Sequence, residues 1–159
     1  MRIIFIFLII NYLQSICNKL LKLIMINKSL KAITFGSNFG YHVHYKCLKK
    51  FYNFDEIAIC SPNINKKKID VYKKFKNYEL ALKNNYDFIS ISSLPEVQKK
   101  ICNIIFKKKI KPKYLILEKP LSENFYETDK LFRKLKKNNI KFFLNFIFVN
   151  IQEFKEFKK

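Results

Sequence analysis

The sequence predicts an α/β fold built on a doubly wound parallel sheet. The main observation is that short apolar runs alternate with helical stretches of about 10 to 15 residues, which is the pattern of consecutive βαβ units. A length of 159 residues fits about one domain, and only 2 glycines and 4 prolines favour long regular elements with short connections. Because crossovers between parallel strands are right-handed, the most economical arrangement is a Rossmann-type sheet.

Five apolar runs are predicted to be strands. They are residues 32–35, 57–60, 87–92, 114–117 and 141–146. Helical stretches are predicted between them, at residues 40–51, 66–75, 79–82, 95–106 and 123–137. Pro95 opens the fourth of these, since proline suits the first helical position, and Ser122 is expected to cap the fifth. The predicted domain therefore spans residues 29–150.

Residues 1–28 form an apolar extension before this domain. The run at residues 3–10 resembles the core of a signal peptide, but polar residues from Asn11 onward interrupt it. It is well short of the roughly 18 to 20 apolar residues of a spanning helix, and no A-x-A cleavage site follows. We favour translated upstream sequence, with the true start at Met25 rather than Met1, or a loose helix over an export signal. We expect a cytoplasmic protein with no membrane partner.

The formal charge of +20 raises the question of a polyanion partner. Only Arg2 and Arg133 of the 32 basic residues are arginine, whereas base readout and bidentate phosphate contacts favour the planar arginine side chain. Residues 99–113 carry seven lysines and no acidic residue, which we interpret as a solvated helix face. A basic polyanion-binding protein remains the least favoured alternative, and no specific nucleic acid is expected.

The cysteines and histidines form no metal-binding pattern. There is no CxxC pair, and His42 and His44 have no cysteine or acidic neighbour at ligand spacing. We therefore expect no structural metal site. Cys60 and Cys102 lie inside apolar runs and are expected to be buried, which fits a reducing compartment.

Both glycines of the chain lie in the turn between the first predicted strand and helix, whose sequence is Gly36-Ser37-Asn38-Phe39-Gly40. In a dinucleotide-binding fold this turn brings its backbone against the pyrophosphate at a helix N-terminus. The strict GxGxxG pattern is not met, because Asn38 stands at the second glycine position and Tyr41 at the third. A turn that merely needs glycine is the alternative interpretation.

The end of the second predicted strand bears on the choice of dinucleotide. An acidic residue there would bind a ribose 2′-hydroxyl, but Ser61 occupies the place, and Lys66, Lys67 and Lys68 follow. A missing carboxylate with nearby lysines favours a 2′-phosphate, and hence NADP slightly over NAD. The three lysines are equally compatible with a solvated face.

Two further segments carry a resemblance to a known family. Glu118-Lys119-Pro120-Leu121, directly after a predicted strand, resembles the EKP motif of the glucose-fructose oxidoreductase, inositol dehydrogenase and MocA (Gfo/Idh/MocA) family. Residues 87–98 resemble the family's strand and turn that end in Thr-Pro-Pro-x-x-His. At those positions this chain has Ser93, Leu94, Pro95 and Gln98. The glycine turn resembles the family's GxGFG variant, and residues 143–148 resemble its final strand.

The resemblance implies hydride transfer between a nicotinamide cofactor and a hydroxyl or keto group, often of a sugar-like substrate. The lysine of the EKP motif lies beside the nicotinamide and the substrate, so Lys119 is the expected catalytic residue. Its buried ammonium would hydrogen-bond the reacting oxygen or pass a proton. The implied cofactor-binding residues are Gly36, Ser37, Asn38, Phe39, Gly40, Ser61, Ser93, Leu94, Pro95, Gln98, Glu118, Lys119 and Pro120.

In the family a second α/β domain follows and supplies most substrate contacts. This chain stops at Lys159, so the resemblance covers the NAD(P)-binding domain only. Residues 151–159 place Ile151, Phe154 and Phe157 on one apolar face, expected to be the start of a helix that packs on the second domain. We therefore expect an incomplete enzyme, active with a separate chain that supplies the substrate domain, or prone to self-association. The alternative is a non-catalytic nucleotide-binding or interaction module.

Overall fold

A computed structural model describes residues 30–51, 54–66 and 69–145 of the chain. The expectations for residues 1–28 and 151–159, for Lys67 and Lys68, and for the last predicted strand beyond Asn145 lie outside the described residues. The account below concerns the described part.

Six parallel strands form one sheet. They are β1 (Lys31–Phe35), β2 (Glu56–Cys60), β3 (Lys73–Phe75), β4 (Phe88–Ile91), β5 (Tyr114–Glu118) and β6 (Phe142–Asn145). Their order across the sheet is β3-β2-β1-β4-β5-β6, and every neighbouring pair is parallel. The chain thus winds outward from β1 in one direction and then in the other. The predicted doubly wound sheet is confirmed, and its switch point lies between β1 and β4, where such folds bind ligands.

The helices connect the strands. Helix α1 has two parts, a π-helical segment Gly40–Tyr45 and an α-helical segment Lys46–Phe51. Helix α2 is a single turn, Tyr78–Ala81, while α3 covers Pro95–Lys107 and α4 covers Phe125–Lys137. The predicted positions of these four helices agree with the structure to within two residues.

The predicted helix at residues 66–75 is wrong. The structure has a short 3₁₀ turn at Ile64–Lys66 and then the edge strand β3, which pairs with β2. Ile69 and Val71 are both buried, at the two-residue spacing of extended chain rather than the spacing of a helix. The many lysines of this segment concealed that alternation.

The expected cap of the last helix is also wrong. Asn124, and not Ser122, accepts a hydrogen bond at α4, from the Glu127 N–H at 2.9 Å. The Ser122 hydroxyl instead donates to the Asn124 carbonyl at 2.9 Å and so supports the residue that caps the helix. Both residue types are good N-caps, and the turn after β5 decides between them.

The core lies on both faces of the sheet. On one face, Ile33, Ile89 and Leu115 pack with Ile101 of α3 and Leu135 of α4. The opposite face carries a smaller cluster, in which Ala32, Phe88 and Ile116 pack with Leu48 of α1. Since side chains alternate along a strand, Thr34 and Ser90 point to this second face, beneath α1. Two polar groups are thereby buried under the helix that follows the glycine turn.

The expected burial of Cys60 and Cys102 is confirmed, and Cys47 is buried as well. Burial raises the pKa of the Cys60 and Cys102 thiols to about 12 and that of Cys47 to about 11. These thiols are therefore packing groups rather than nucleophiles.

Candidate functional site

Gly36 makes the tight turn at the end of β1. Its φ of +126° is one that side chains rarely adopt, and an added Cβ would overlap the Ser92 carbonyl oxygen and lie 3.2 Å from the Ser92 carbonyl carbon. The Gly36 N–H donates to the Cys60 carbonyl at 2.9 Å, and the Ser92 N–H donates to the Phe35 carbonyl at 2.8 Å. The carboxyl ends of β1, β2 and β4 are thus joined around a residue that must be glycine.

Gly40 begins helix α1 against the sheet. An added Cβ would lie 3.1 Å from Thr34 Cγ2 and 3.2 Å from the Phe35 carbonyl oxygen. This is the packing role that the third glycine of the dinucleotide pattern performs, taken here one residue earlier than the pattern predicts. The departure of Tyr41 from the pattern is therefore compensated by Gly40.

The start of α1 has the features of an anion site. The first four N–H groups of a helix have no partner within the helix and carry its positive dipole end. No acidic residue lies in the first turn, and the His42 N–H already bonds the Asn38 carbonyl at 2.9 Å. Residues 36–40 therefore present backbone N–H groups at the switch point of the sheet.

Ser61 lies at the carboxyl end of β2, next to this turn. It is buried, and its hydroxyl donates to the Ser37 hydroxyl oxygen at 3.0 Å. Its N–H donates to the Phe75 carbonyl at 2.9 Å, which ties β3 to the same edge. The pair of hydroxyl groups from Ser37 and Ser61 forms a small polar surface beside the glycine turn.

The loop after β4 forms the other wall. Ser93 Oγ lies 3.5 Å from the Phe35 carbonyl oxygen, and Leu94 is 74% exposed. Pro95 begins α3, as predicted. An exposed apolar side chain at the carboxyl edge of a parallel sheet is a suitable contact for a flat aromatic ligand group.

The turn after β5 carries Glu118, Lys119 and Pro120. Gln98 of α3, which is completely buried, holds this turn through its amide. Its Nε2 donates to the Glu118 carbonyl at 2.9 Å and lies 3.2 Å from the Pro120 carbonyl, while its Oε1 accepts from the Glu118 N–H at 2.9 Å. Gln98, expected to bind cofactor, therefore acts on the backbone of the turn.

Lys119 lies at the carboxyl edge, as predicted, but its side chain is exposed. The expectation of a buried ammonium is wrong for the described chain, because the turn directs residues 119 and 120 outward while Gln98 and Leu121 fill the space beneath. An exposed amine retains its hydration and is available to a ligand bound at this edge.

Sequence reasoning missed a buried polar cluster of four residues: Ser90, His44, Glu118 and Asn145. His44 Nε2 lies 2.7 Å from Glu118 Oε1, and His44 Nδ1 lies 2.5 Å from Ser90 Oγ. Asn145 Nδ2 donates to the same Glu118 oxygen at 2.5 Å. All four are less than one-tenth exposed. His44 and Glu118 are 74 residues apart, so no local spacing in the sequence could have revealed their contact.

The order serine, histidine, carboxylate is also that of nucleophilic hydrolases, which makes the exposure of the serine decisive. Ser90 is 0% exposed and lies inside β4, beneath α1. A substrate carbonyl cannot reach its hydroxyl, and a nucleophile must contact the reacting atom. The cluster is therefore not a hydrolase site.

Comparison with known proteins supports the fold assignment. No family model and no curated protein matches the sequence. Solved structures do match. A Gfo/Idh/MocA family oxidoreductase from Vibrio cholerae is 17% identical, with a TM-score of 0.64 over 80% of this chain and 44% of its own. The chain has the fold of Gfo/Idh/MocA oxidoreductases.

Two further matches to this Gfo/Idh/MocA fold were solved with dinucleotides. An oxidoreductase from Agrobacterium radiobacter, in complex with NAD+, L-tartaric acid and magnesium, is 15% identical, with a TM-score of 0.62 over 74% of this chain and 35% of its own. A mutant of the 3-ketoreductase KijD10 from Actinomadura kijaniata, in complex with TDP-benzene and NADP, is 12% identical, with a TM-score of 0.64 over 82% and 42%. The chain thus spans less than half the length of these proteins.

Two surveys of the described residues complete the picture. Within residues 30–51, 54–66 and 69–145, no three His, Cys, Asp or Glu side chains are grouped so that they could hold a metal ion. None of the helices in the same ranges is long and apolar enough to cross a membrane.

Proposed function

We propose that this chain is the cofactor-binding part of an NAD(P)-dependent oxidoreductase of the Gfo/Idh/MocA type. The observation that carries the proposal is the Gly36 turn, held against Ser92 at the switch point of the sheet, with the Lys119 turn on the same edge. A glycine backbone at a helix N-terminus accommodates a pyrophosphate, and the carboxyl edge of a doubly wound sheet is where ligands bind.

The residues present fit a dinucleotide. At residues 36–40, Gly36 leaves the space that a Cβ would fill, and the first turn of α1 carries no acidic side chain to repel phosphate. We assign the pyrophosphate to the backbone of Gly36, Ser37, Asn38, Phe39 and Gly40. The Asn38 side chain at the second glycine position supplies an amide beside the phosphates in place of a hydrogen atom.

The hydroxyl groups of Ser37 and Ser61 are assigned to the adenosine end. Ser61 stands where an acidic residue would select the unmodified ribose, and its hydroxyl already bonds Ser37. A hydroxyl pair accepts either a 2′-hydroxyl or a 2′-phosphate, and the absence of a carboxylate at position 61 removes a group that would repel the phosphate. We therefore favour NADP slightly over NAD.

The nicotinamide end is assigned to Ser93, Leu94, Pro95 and Lys119. When bound, a nicotinamide dinucleotide supplies hydride transfer to or from a hydroxyl or keto carbon. Lys119 hydrogen-bonds the reacting oxygen through its ammonium and stabilises the negative charge that develops there. Glu118, Pro120 and Gln98 contribute by fixing the turn that presents Lys119.

The reaction and the sugar-like substrate are proposals for the whole protein, because the chain spans 35% to 44% of the solved proteins named above. We place the substrate contacts in a second domain, supplied by a separate chain or by further sequence. A non-catalytic nucleotide-binding module is the second candidate, and the Asn38 side chain in the phosphate turn is the observation that favours it.

A fluorescence titration tests the proposal. NADPH and NADH are titrated separately into the full chain, into Lys119→Ala and into Gly36→Val, with circular dichroism as the control for folding. We expect saturable binding by the full chain and by Lys119→Ala, and its loss in Gly36→Val. A folded chain that binds neither nucleotide would contradict the proposal. Binding without turnover in the presence of a matching second domain would favour the non-catalytic module.

A further inference from the structure

The Glu118 carboxylate is buried directly before the exposed Lys119. It is 8% exposed and shares its Oε1 atom between two donors, His44 Nε2 and Asn145 Nδ2. A buried carboxylate requires such donors, because leaving its charge unpaired would cost far more than the net stability of one hydrogen bond. The position of Glu118, and with it the start of the lysine turn, therefore depends on the groups that hold this oxygen.

His44 is the donor that comes from the dinucleotide side of the site. It lies four residues after Gly40, about one turn along α1, and is 3% exposed. A carboxylate oxygen can only accept, so the His44 Nε2 atom must carry a proton. The Ser90 hydroxyl lies on the other ring nitrogen at 2.5 Å and fixes the ring orientation.

We propose that His44 is a positioning residue, which couples the helix of the glycine turn to the Lys119 turn by holding the Glu118 carboxylate. Gln98 fixes the backbone of this turn from α3, whereas His44 and Asn145 fix the Glu118 side chain from α1 and β6. Lys119 is thereby presented by three elements at once. The benefit for hydride transfer rests on the proposed function, while the placement of the Lys119 turn does not.

Two substitutions separate the two bonds of His44. In His44→Gln the side-chain amide reaches about as far as Nε2 and can still donate to Glu118. In His44→Asn the shorter amide lies near the Nδ1 position and keeps only the Ser90 contact. His42, exposed and two residues earlier on the same helix, provides matched controls in His42→Gln and His42→Asn.

The readout is nuclear magnetic resonance of the full chain without added ligand. Long-range ¹H–¹⁵N correlation of the wild-type imidazole is expected to show a proton on His44 Nε2. The backbone amide resonances of Lys119 and Leu121 are expected to shift in His44→Asn, to return close to their wild-type positions in His44→Gln, and to stay unchanged in both His42 variants.

Three results would overturn the inference. They are a neutral His44 protonated on Nδ1, a folded His44→Asn variant with unshifted Lys119 and Leu121 amides, and equal shifts in both His44 variants. Should His44→Asn fail to fold, the wild-type imidazole and His44→Gln still decide. A chain that follows the expected pattern but binds neither NADPH nor NADH would remove the proposed function and leave the role of His44 intact.

Discussion

His44 Nε2 lies 2.7 Å from Glu118 Oε1, although 74 residues separate them in the chain. The contact joins the helix that starts at the glycine turn to the strand that ends at Lys119. The two halves of the candidate site are therefore linked through the buried interior, beneath the edge at which a ligand would bind. The predictions below test the elements on either side of this link.

Replacing Gly36 by alanine should destabilise the protein strongly. The residue has a φ of +126°, and the new Cβ would overlap the Ser92 carbonyl oxygen, so the backbone of two strand ends must shift. We expect a loss of about 2 to 4 kcal/mol in the free energy of unfolding, measured by urea denaturation. Gly40→Ala is the matched control, since its nearest contact is 3.1 Å and its smaller overlap should cost less. Equal losses in the two variants would contradict this account.

Replacing Gln98 by alanine should loosen the Lys119 turn. The substitution removes the partners of the Glu118 N–H and carbonyl in a fully buried place. We expect a loss of about 2 to 4 kcal/mol in the free energy of unfolding, because buried backbone groups lose their hydrogen bonds and a cavity forms. The adjacent Lys99→Ala breaks only an exposed ion pair with Glu127 and should cost less than about 1 kcal/mol. A Gln98 variant as stable as Lys99→Ala would show that the amide contacts do not hold the turn.

Replacing Lys119 by alanine should leave the fold intact. The side chain is exposed, so we expect a change within about 0.5 kcal/mol in the free energy of unfolding. Dinucleotide affinity should change by less than about tenfold, since the pyrophosphate is assigned to backbone groups of residues 36–40. Thermal denaturation and calorimetry measure the two quantities. A large loss of stability would mean that Lys119 holds the turn itself.

Stability should fall steeply at alkaline pH because of the buried thiols. Burial raises the pKa of Cys47 to about 11 and those of Cys60 and Cys102 to about 12, from an ordinary value of 9.0. Above about pH 9 the unfolded chain loses these protons while the folded chain keeps them, so the unfolded state binds fewer protons and stability decreases as pH rises. Each thiol contributes a slope of up to about 1.4 kcal/mol per pH unit until its folded pKa is reached.

Urea denaturation at pH 8, 9, 10 and 10.5 measures this slope. Cys102→Ala removes one of the three described thiols and should reduce the slope by up to about 1.4 kcal/mol per pH unit, whatever its effect at pH 8. An unchanged slope in that variant would show that the alkaline loss comes from other groups.

Periodicity was sufficient for most of the fold. The apolar runs at β1, β2, β4 and β5 are fully buried strands, and such runs are recognisable without any alignment. The strand β3 was missed because it is three residues long and lies at the edge of the sheet, where Lys73 and Lys74 stay accessible. Short edge strands leave little apolar pattern in a sequence.

The candidate site divides in the same way. Gly36 and Lys119 could be identified from local motifs, because the backbone conformation or the position after a strand is encoded in adjacent residues. His44, Ser90 and Asn145 could not, since their roles arise only when α1, β4 and β6 come together around Glu118. The exposure of Lys119 is likewise a property of the assembled turn.

The most direct test of the central claim is a ¹H–¹⁵N spectrum of the full chain recorded during titration with NADPH. We predict saturable amide shifts concentrated at residues 36–40, at Ser61, at Ser93 and Leu94, and at Lys119. Shifts confined to the exposed lysines of residues 99–113, which weaken as salt is raised, would instead indicate non-specific attraction of phosphate. That result, or a folded chain with no shifts at all, would contradict the assignment of a dinucleotide-binding domain.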